Sequence, residues 1–211
     1  MFANEDWAKT VDTTVKLPCS GEYARVDLLN DACFGGVCDG SLQLHLLPNQ
    51  SQIIIFGDRA GLPSEPETHE CVELAPTFEL SLAESEDMSK YESVGSFESF
   101  FNVNSPKFRP DFSGKMKYNF TFEAKRGEGR VLLDLGEVGQ NATLCLNGVD
   151  CGIRICRPYA FDVTDCLHDG ENVAEVVVSN TLVRRVHDSF SYFLQLAPSG
   201  LLGGMKLVYK N

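Results

Sequence analysis

The sequence predicts an all-β protein, and three features carry that prediction. Apolar residues recur at every second position in short runs, and tight-turn chemistry separates the runs. Nothing alternates strand-length with helix-length patterns as a parallel α/β fold would. The clearest stretch is 131–180. Residues 131–135 (VLLDL) form a first run, and Ala142, Leu144 and Leu146 alternate with Thr143, Cys145 and Asn147 in a second. That run ends in Asn147-Gly148, a pair that tolerates the positive φ of a two-residue hairpin turn. Ile153 and Ile155 mark a third strand, and Ala174, Val176 and Val178 a fourth. One apolar face per strand suits two sheets packed face to face.

Residues 1–60 form a first patterned block. Strands are expected at 15–17, at 23–28, at 42–46 (Leu42, Leu44 and Leu46 inward) and at 51–56, with a Gly- and Cys-rich loop before the third. His45 falls on the polar face of its strand, so it is expected to be exposed. Four strands with one apolar face are marginal alone, so the block should pack on a neighbour. Residues 61–75 (GLPSEPETHECVELA) carry two prolines and a cluster of glutamates and read as a linker. The second block, 76–211, opens with a strand bearing Phe78, Leu80 and Leu82 on one face. Residues 84–105 show no clear period. There Phe97, Phe100 and Phe101 have the spacing of a helical turn, but a loop fits as well, and core packing is favoured over a sugar platform. Met116, Tyr118, Phe120 and Phe122 alternate with polar residues in a half-buried strand. After residue 157, Thr164 is placed to cap one helical turn, Asp169-Gly170 to reverse the chain, and Asn172 to bond the loop backbone.

The order LDLGEVGQNATLCLNG, CG, PYAFDVTDCLHDGEN and VVVSN resembles the sugar-binding domain of family 2 glycoside hydrolases. The likeness covers roughly residues 112–209. Ser113-Gly114 with Tyr118 resembles the opening of that domain. Residues 199–204 (SGLLGG) resemble the segment that closes large bacterial glycosidases of the family 2 and rhamnosidase kinds. SLQLHLLPNQSQIIIFG resembles the last hairpin of the small β-sandwich that follows the barrel in many large glycosidases. These resemblances imply a small partial β-sandwich followed by a galactose-binding-like jelly roll. They further imply a non-catalytic accessory module of a larger bacterial enzyme, binding carbohydrate or supporting the catalytic barrel of its own chain. The other reading is a protein-interaction domain with no sugar ligand.

A net charge of −12 repels phosphate backbones, so nucleic acid is not an expected partner. The most apolar run, 53–56, is far too short to cross a membrane, and the first residues lack the basic start and apolar stretch of a signal peptide. None of the eight cysteines forms a C-x-x-C pair, which disfavours zinc. Buried free thiols are expected, with Cys33–Cys38 the bridge to consider in an oxidising compartment. Sequons at Asn49, Asn119 and Asn141 carry little weight, since one sits on an expected strand.

Glycoside hydrolysis needs two carboxyl groups held across the bond. The many acids here lie mostly in turns, and the chain lacks the βα alternation of a barrel, so catalysis by this piece alone is not expected. Ser113, Ser189 and Ser199 stand in no nucleophile motif, and the four histidines form no i, i+4 pair. Asp162, Asp165 and Asp169 lie near one another but lack the spacing of a calcium loop, so no cofactor is expected and structural calcium is not favoured. Sugar hydroxyls are bonded by planar or paired polar groups beside an aromatic face. Arg154, Arg157 and Tyr159, with Asn180, Arg184 and Arg185, are the candidates. Residues 183–188 (VRRVHD) concentrate positive charge in an acidic chain, which fits either a ligand contact or a salt-bridged strand edge.

Overall fold

In the computed structural model, which describes residues 1–6, 8–28, 31–57, 61–186 and 196–211, the alternating runs are antiparallel strands. Contacts divide the chain into two units, Met1–Glu67 and Thr68–Asn211. The first contains β1 (Phe2–Ala3), β2 (Val11–Lys16), β3 (Gly21–Asp27), β4 (Ala32–Cys38), β5 (Ser41–Leu46) and β6 (Ser51–Phe56). A four-stranded sheet runs β1-β6-β3-β4, and β2 pairs with β5. Leu42, Leu44 and Leu46 are buried while Gln43 and His45 are exposed, as the alternation requires.

The Gly- and Cys-rich stretch is where this unit departs from expectation, because it forms β4. Its glycines suit the strand: Gly36 pairs with Tyr23, whose ring occupies the space a side chain would take. Cys33 and Cys38 therefore lie five positions apart on one strand, about 16 Å at the usual rise. An odd separation also puts them on opposite faces, Cys33 exposed and Cys38 buried. The Cys33–Cys38 bridge is incompatible with that geometry.

The second unit contains β7 (Thr68–Glu73), β8 (Phe78–Glu84), β9 (Glu92–Phe97), β10 (Gly114–Ala124), β11 (Arg130–Asp134), β12 (Glu137–Gly139), β13 (Asn141–Leu146), β14 (Val149–Arg154), β15 (Ala160–Asp162), β16 (Gly170–Ser179), the short helix α1 (Val183–Val186), β17 (Gly200–Gly203) and β18 (Lys206–Lys210). A six-stranded sheet of order β14-β13-β16-β10-β8-β9 and a four-stranded sheet of order β15-β11-β18-β7 enclose one core, and β12 pairs with β17. Met116, Tyr118, Phe120 and Phe122 meet Val131, Leu133, Leu207 and Tyr209 in that core. This is a β-sandwich.

Asn147 and Gly148 both take positive φ, 52° and 81°, at the β13–β14 hairpin. Asn172 bonds its own turn, accepting from the His168 N–H at 2.8 Å and donating to the His168 and Gly170 carbonyls. At the other turn, Asp162 rather than Thr164 accepts the first free N–H; Thr164 accepts from Val131 instead. Phe97, Phe100 and Phe101 form no helix. Phe97 ends β9 and the other two lie in the loop that follows, where Phe100 stacks on Phe78 at 5.0 Å and Phe101 meets Phe97 and Phe108.

Two elements run against the sequence pattern, and both are sheet edges. Residues 68–73, inside the stretch whose composition reads as a linker, are β7, antiparallel to β18. Every residue of β7 is exposed, so no apolar alternation marks it. On β14, Ile153 faces outward (52% exposed) while Arg154 turns inward, and Ile155, expected on this strand, lies just past its end, 75% exposed. A register shift between Thr143 and Cys145 accompanies this strand, the edge of its sheet among the described residues.

Residues 68–211 are expected to fold alone, whereas 76–211 should lose roughly 2–3 kcal/mol, because removing β7 uncovers the ladder of β18 and the Val72–Leu207 pair. Urea unfolding followed by circular dichroism compares the two; coincident midpoints would show that β7 adds nothing.

Candidate functional site

Strand register gathers all six candidate side chains at one end of the sandwich, where Gly114 stands opposite Glu84, Asn141 opposite Ser179 and Gly139 opposite Gly200. Each is bonded or ion-paired within the fold. Arg154 is buried; its Nε donates to the Ala160 carbonyl at 2.9 Å, its Nη1 to the Ile153 carbonyl at 3.1 Å, and its guanidinium lies 4.7 Å from the centre of the Phe161 ring. Tyr159 is buried and donates its hydroxyl to the Gln140 carbonyl, and burial pushes its pKa up. Asn180 donates to Asn104 Oδ1 (3.0 Å), the Phe112 carbonyl (2.9 Å) and Ser199 Oγ (3.3 Å), and accepts from the Gly114 N–H (2.8 Å). It is the knot that ties the start of β10 to the end of β16.

The remaining three are more open but paired. Arg157, ahead of the cis bond to Pro158, lies 3.5 Å from Glu137. Arg184 donates to the Ala197 carbonyl, and burial lowers its pKa. Arg185 bridges Glu84 (3.1 Å) and Glu86 across from α1. His187, Asp188 and Ser189 lie outside the described residues. Two of the three acids considered for calcium are likewise engaged: Arg126 N–H donates to Asp169 at 2.7 Å, and Asp162 receives Thr164 and the Arg130 Nε (2.7 Å). Burial alone would raise the Asp162 carboxyl, but the Thr164 hydroxyl and the Arg130 guanidinium outweigh it and hold its pKa below the ordinary range. Among the described residues, no group of three His, Cys, Asp or Glu side chains is placed to hold a metal ion, and no helix is long and apolar enough to cross a membrane.

At the opposite end, where Ala124 pairs with Gly170 and Arg130 with Lys210, a cleft of about 850 Å³ opens between the sheets. Cross-strand pairing puts Glu70 beside Tyr209 and Val72 beside Leu207 on the inward face of β7 and β18, so the floor is apolar with Val131 and Ala124. The rim is charged and of both signs: His69, Glu70 and Glu123 with Lys125, Asp169 and Lys210. The Tyr209 ring forms a wall. Its hydroxyl donates to the Lys125 carbonyl at 2.9 Å, His69 meets it edge-on at 6.1 Å, and burial raises its pKa. The volume suits a small molecule or a short glycan. Sequence reading missed this cleft because its residues come from segments far apart in the chain, and no motif links them.

No family model matches the chain. A protein of Formosa agariphila named "Putative beta-glucuronidase" is 35% identical over 79 residues, which is 36% of this chain and 7% of that protein. Among solved structures, a rhamnosidase from Novosphingobium sp. PP1Y matches 98% of this chain with a TM-score of 0.72 and 22% identity. A family 2 β-galacturonidase from Eisenbergiella tayi matches 69% of it, with a TM-score of 0.49 and 18% identity. The chain spans 22% of the rhamnosidase and 25% of the galacturonidase. The rhamnosidase likeness identifies the fold.

Proposed function

We propose that this chain is a non-catalytic module of a glycoside hydrolase, one that contacts carbohydrate or supports the catalytic domain. The observation that carries the reading is the backbone likeness to the rhamnosidase across 98% of the chain, of which this chain spans 22%. The 35% identity to a segment of the glucuronidase-named protein supports it independently. Where a sugar binds, the cleft at Tyr209 is the better seat than the loop end. An aromatic wall, an apolar floor and a rim of donors and acceptors match the amphipathic faces of a sugar ring. At the loop end, by contrast, the Arg154, Tyr159 and Asn180 groups are already bonded within the fold.

The test is a glycan array on the full chain, then titration of a captured glycan against Lys125→Ala and Lys210→Ala at the cleft and Arg157→Ala and Arg184→Ala at the loop end. Losing one hydrogen bond to a charged donor should weaken binding by about 1–3 kcal/mol. That loss is expected for the cleft pair and not for the loop pair. The opposite pattern would move the site to the loops, and no captured glycan would leave the supporting role. Aryl glycosides should pass through the same preparation uncleaved; turnover abolished by one Asp or Glu substitution would overturn the non-catalytic reading.

A further inference from the structure

The sulfurs of Cys151 and Cys166 face each other at 3.6 Å, although neither cysteine is in a disulfide. Both side chains reach one corner of the core: Cys166 is buried there and Cys151 packs against it. The backbone on either side is anchored. Cys166 sits in the turn after β15, where its N–H donates to the Val163 carbonyl at 3.1 Å and its own carbonyl accepts the Asn147 amide at 2.8 Å. Cys151 lies on β14, directly beyond the Asn147-Gly148 hairpin. The same asparagine therefore sets both the turn that leads into Cys151 and the position of Cys166. Four other cysteines, Cys19, Cys33, Cys71 and Cys156, are exposed.

We propose that Cys151 and Cys166 are a site of oxidative cross-linking that closes residues 151–166 into a covalent loop, with a low-molecular-weight disulfide such as oxidised glutathione as the oxidant. The Cys151 thiol is the more accessible and reacts first. Its thiolate attacks one sulfur of the reagent, forming a mixed disulfide and releasing one reduced thiol. The Cys166 thiolate then attacks the Cys151 sulfur, forming the intramolecular bond and releasing the second thiol. Two protein thiols are oxidised, one disulfide is reduced, and two protons end on the released thiols. Bond formation closes the sulfurs from 3.6 Å to about 2.05 Å. Burial pushes the Cys151 thiol up to about 12, so the thiolate is scarce at neutral pH and the reaction should quicken as pH rises. The enclosed segment carries Arg154, Arg157 and Tyr159, so the cross-link ties both ends of that loop to one point.

Incubating the full chain with oxidised glutathione at about pH 8.5, where more thiolate is present, then alkylating and digesting with trypsin, tests this. The expected product is fragment 131–154 joined to fragment 155–184, since trypsin cuts after Arg154 but not before Pro158. Cys151→Ser and Cys166→Ser should each abolish the product, whereas Cys145→Ser and Cys156→Ser should leave it. The oxidised chain should melt on the order of 5–10 °C higher, reversed by dithiothreitol. If Cys166→Ser does not fold, the half-buried Cys151→Ser decides alone. Joined fragments that survive Cys151→Ser would overturn the assignment, as would a folded chain that stays reduced where the urea-unfolded chain cross-links.

Discussion

Phe161→Ala is expected to lower the stability of the second unit by about 3–5 kcal/mol, the range for truncating a buried aromatic residue. Phe161 is wholly buried on β15, where it pairs with Leu133 of β11. Removing the ring leaves a void between the sheets. It also strips the face against which the Arg154 guanidinium rests at 4.7 Å, leaving a buried cation beside an empty space. Phe161→Leu fills most of the volume and should retain more than half of the lost stability. Urea denaturation of the full chain, followed in the far ultraviolet, measures both. A loss under about 1 kcal/mol for the alanine variant would mean that the sheets close over the gap.

Asn180→Ala should cost about 2–3 kcal/mol, because it strands partners rather than merely deleting bonds. The Gly114 N–H loses its acceptor, and Gly114 begins β10, the strand between β8 and β16. The Phe112 carbonyl and Asn104 Oδ1 lose a donor at the same place, where Asn104 is itself buried and bonded to the carbonyls of Arg109, Pro110 and Phe112. Asn180→Asp keeps the acceptor for Gly114 but turns an anion toward those acceptors, so it should destabilise at least as much. A residue whose role was to meet a ligand would behave oppositely, keeping its stability while losing affinity. Thermal melting and glycan titration of the same variant therefore separate the two roles.

Much of the fold was legible locally. The alternation in 116–122 and in 142–146, and the Asn147-Gly148 pair, each encode a feature that depends on residues next to it in the chain. Period 2 says which side chains share a face, and an Asn-Gly pair says where φ turns positive. The edges were not legible. β7 is exposed on both faces, and β14 points Ile153 outward and Arg154 inward, so neither shows the one-faced pattern that identifies a strand. β4 was hidden in a different way, because its glycines read as a loop until Tyr23 is seen lying over Gly36.

The sequence by itself therefore determined an all-β chain, its main hairpin, and several of the residues that form the core of the second unit. It also named Arg154, Arg157, Tyr159, Asn180, Arg184 and Arg185 as candidates to bond a sugar. Only the tertiary structure decided that the Ala160, Gln140 and Phe112 carbonyls accept from Arg154, Tyr159 and Asn180 within the fold. It alone brought His69, Lys125, Asp169 and Tyr209 around one cleft, and Cys151 to within 3.6 Å of Cys166. The physical reason is range. Strand alternation and turn geometry are set by neighbours one to four residues away, whereas a buried polar group meets whatever strand the sheet order places beside it. That order places residues far apart in sequence side by side, as β18 does between β7 and β11.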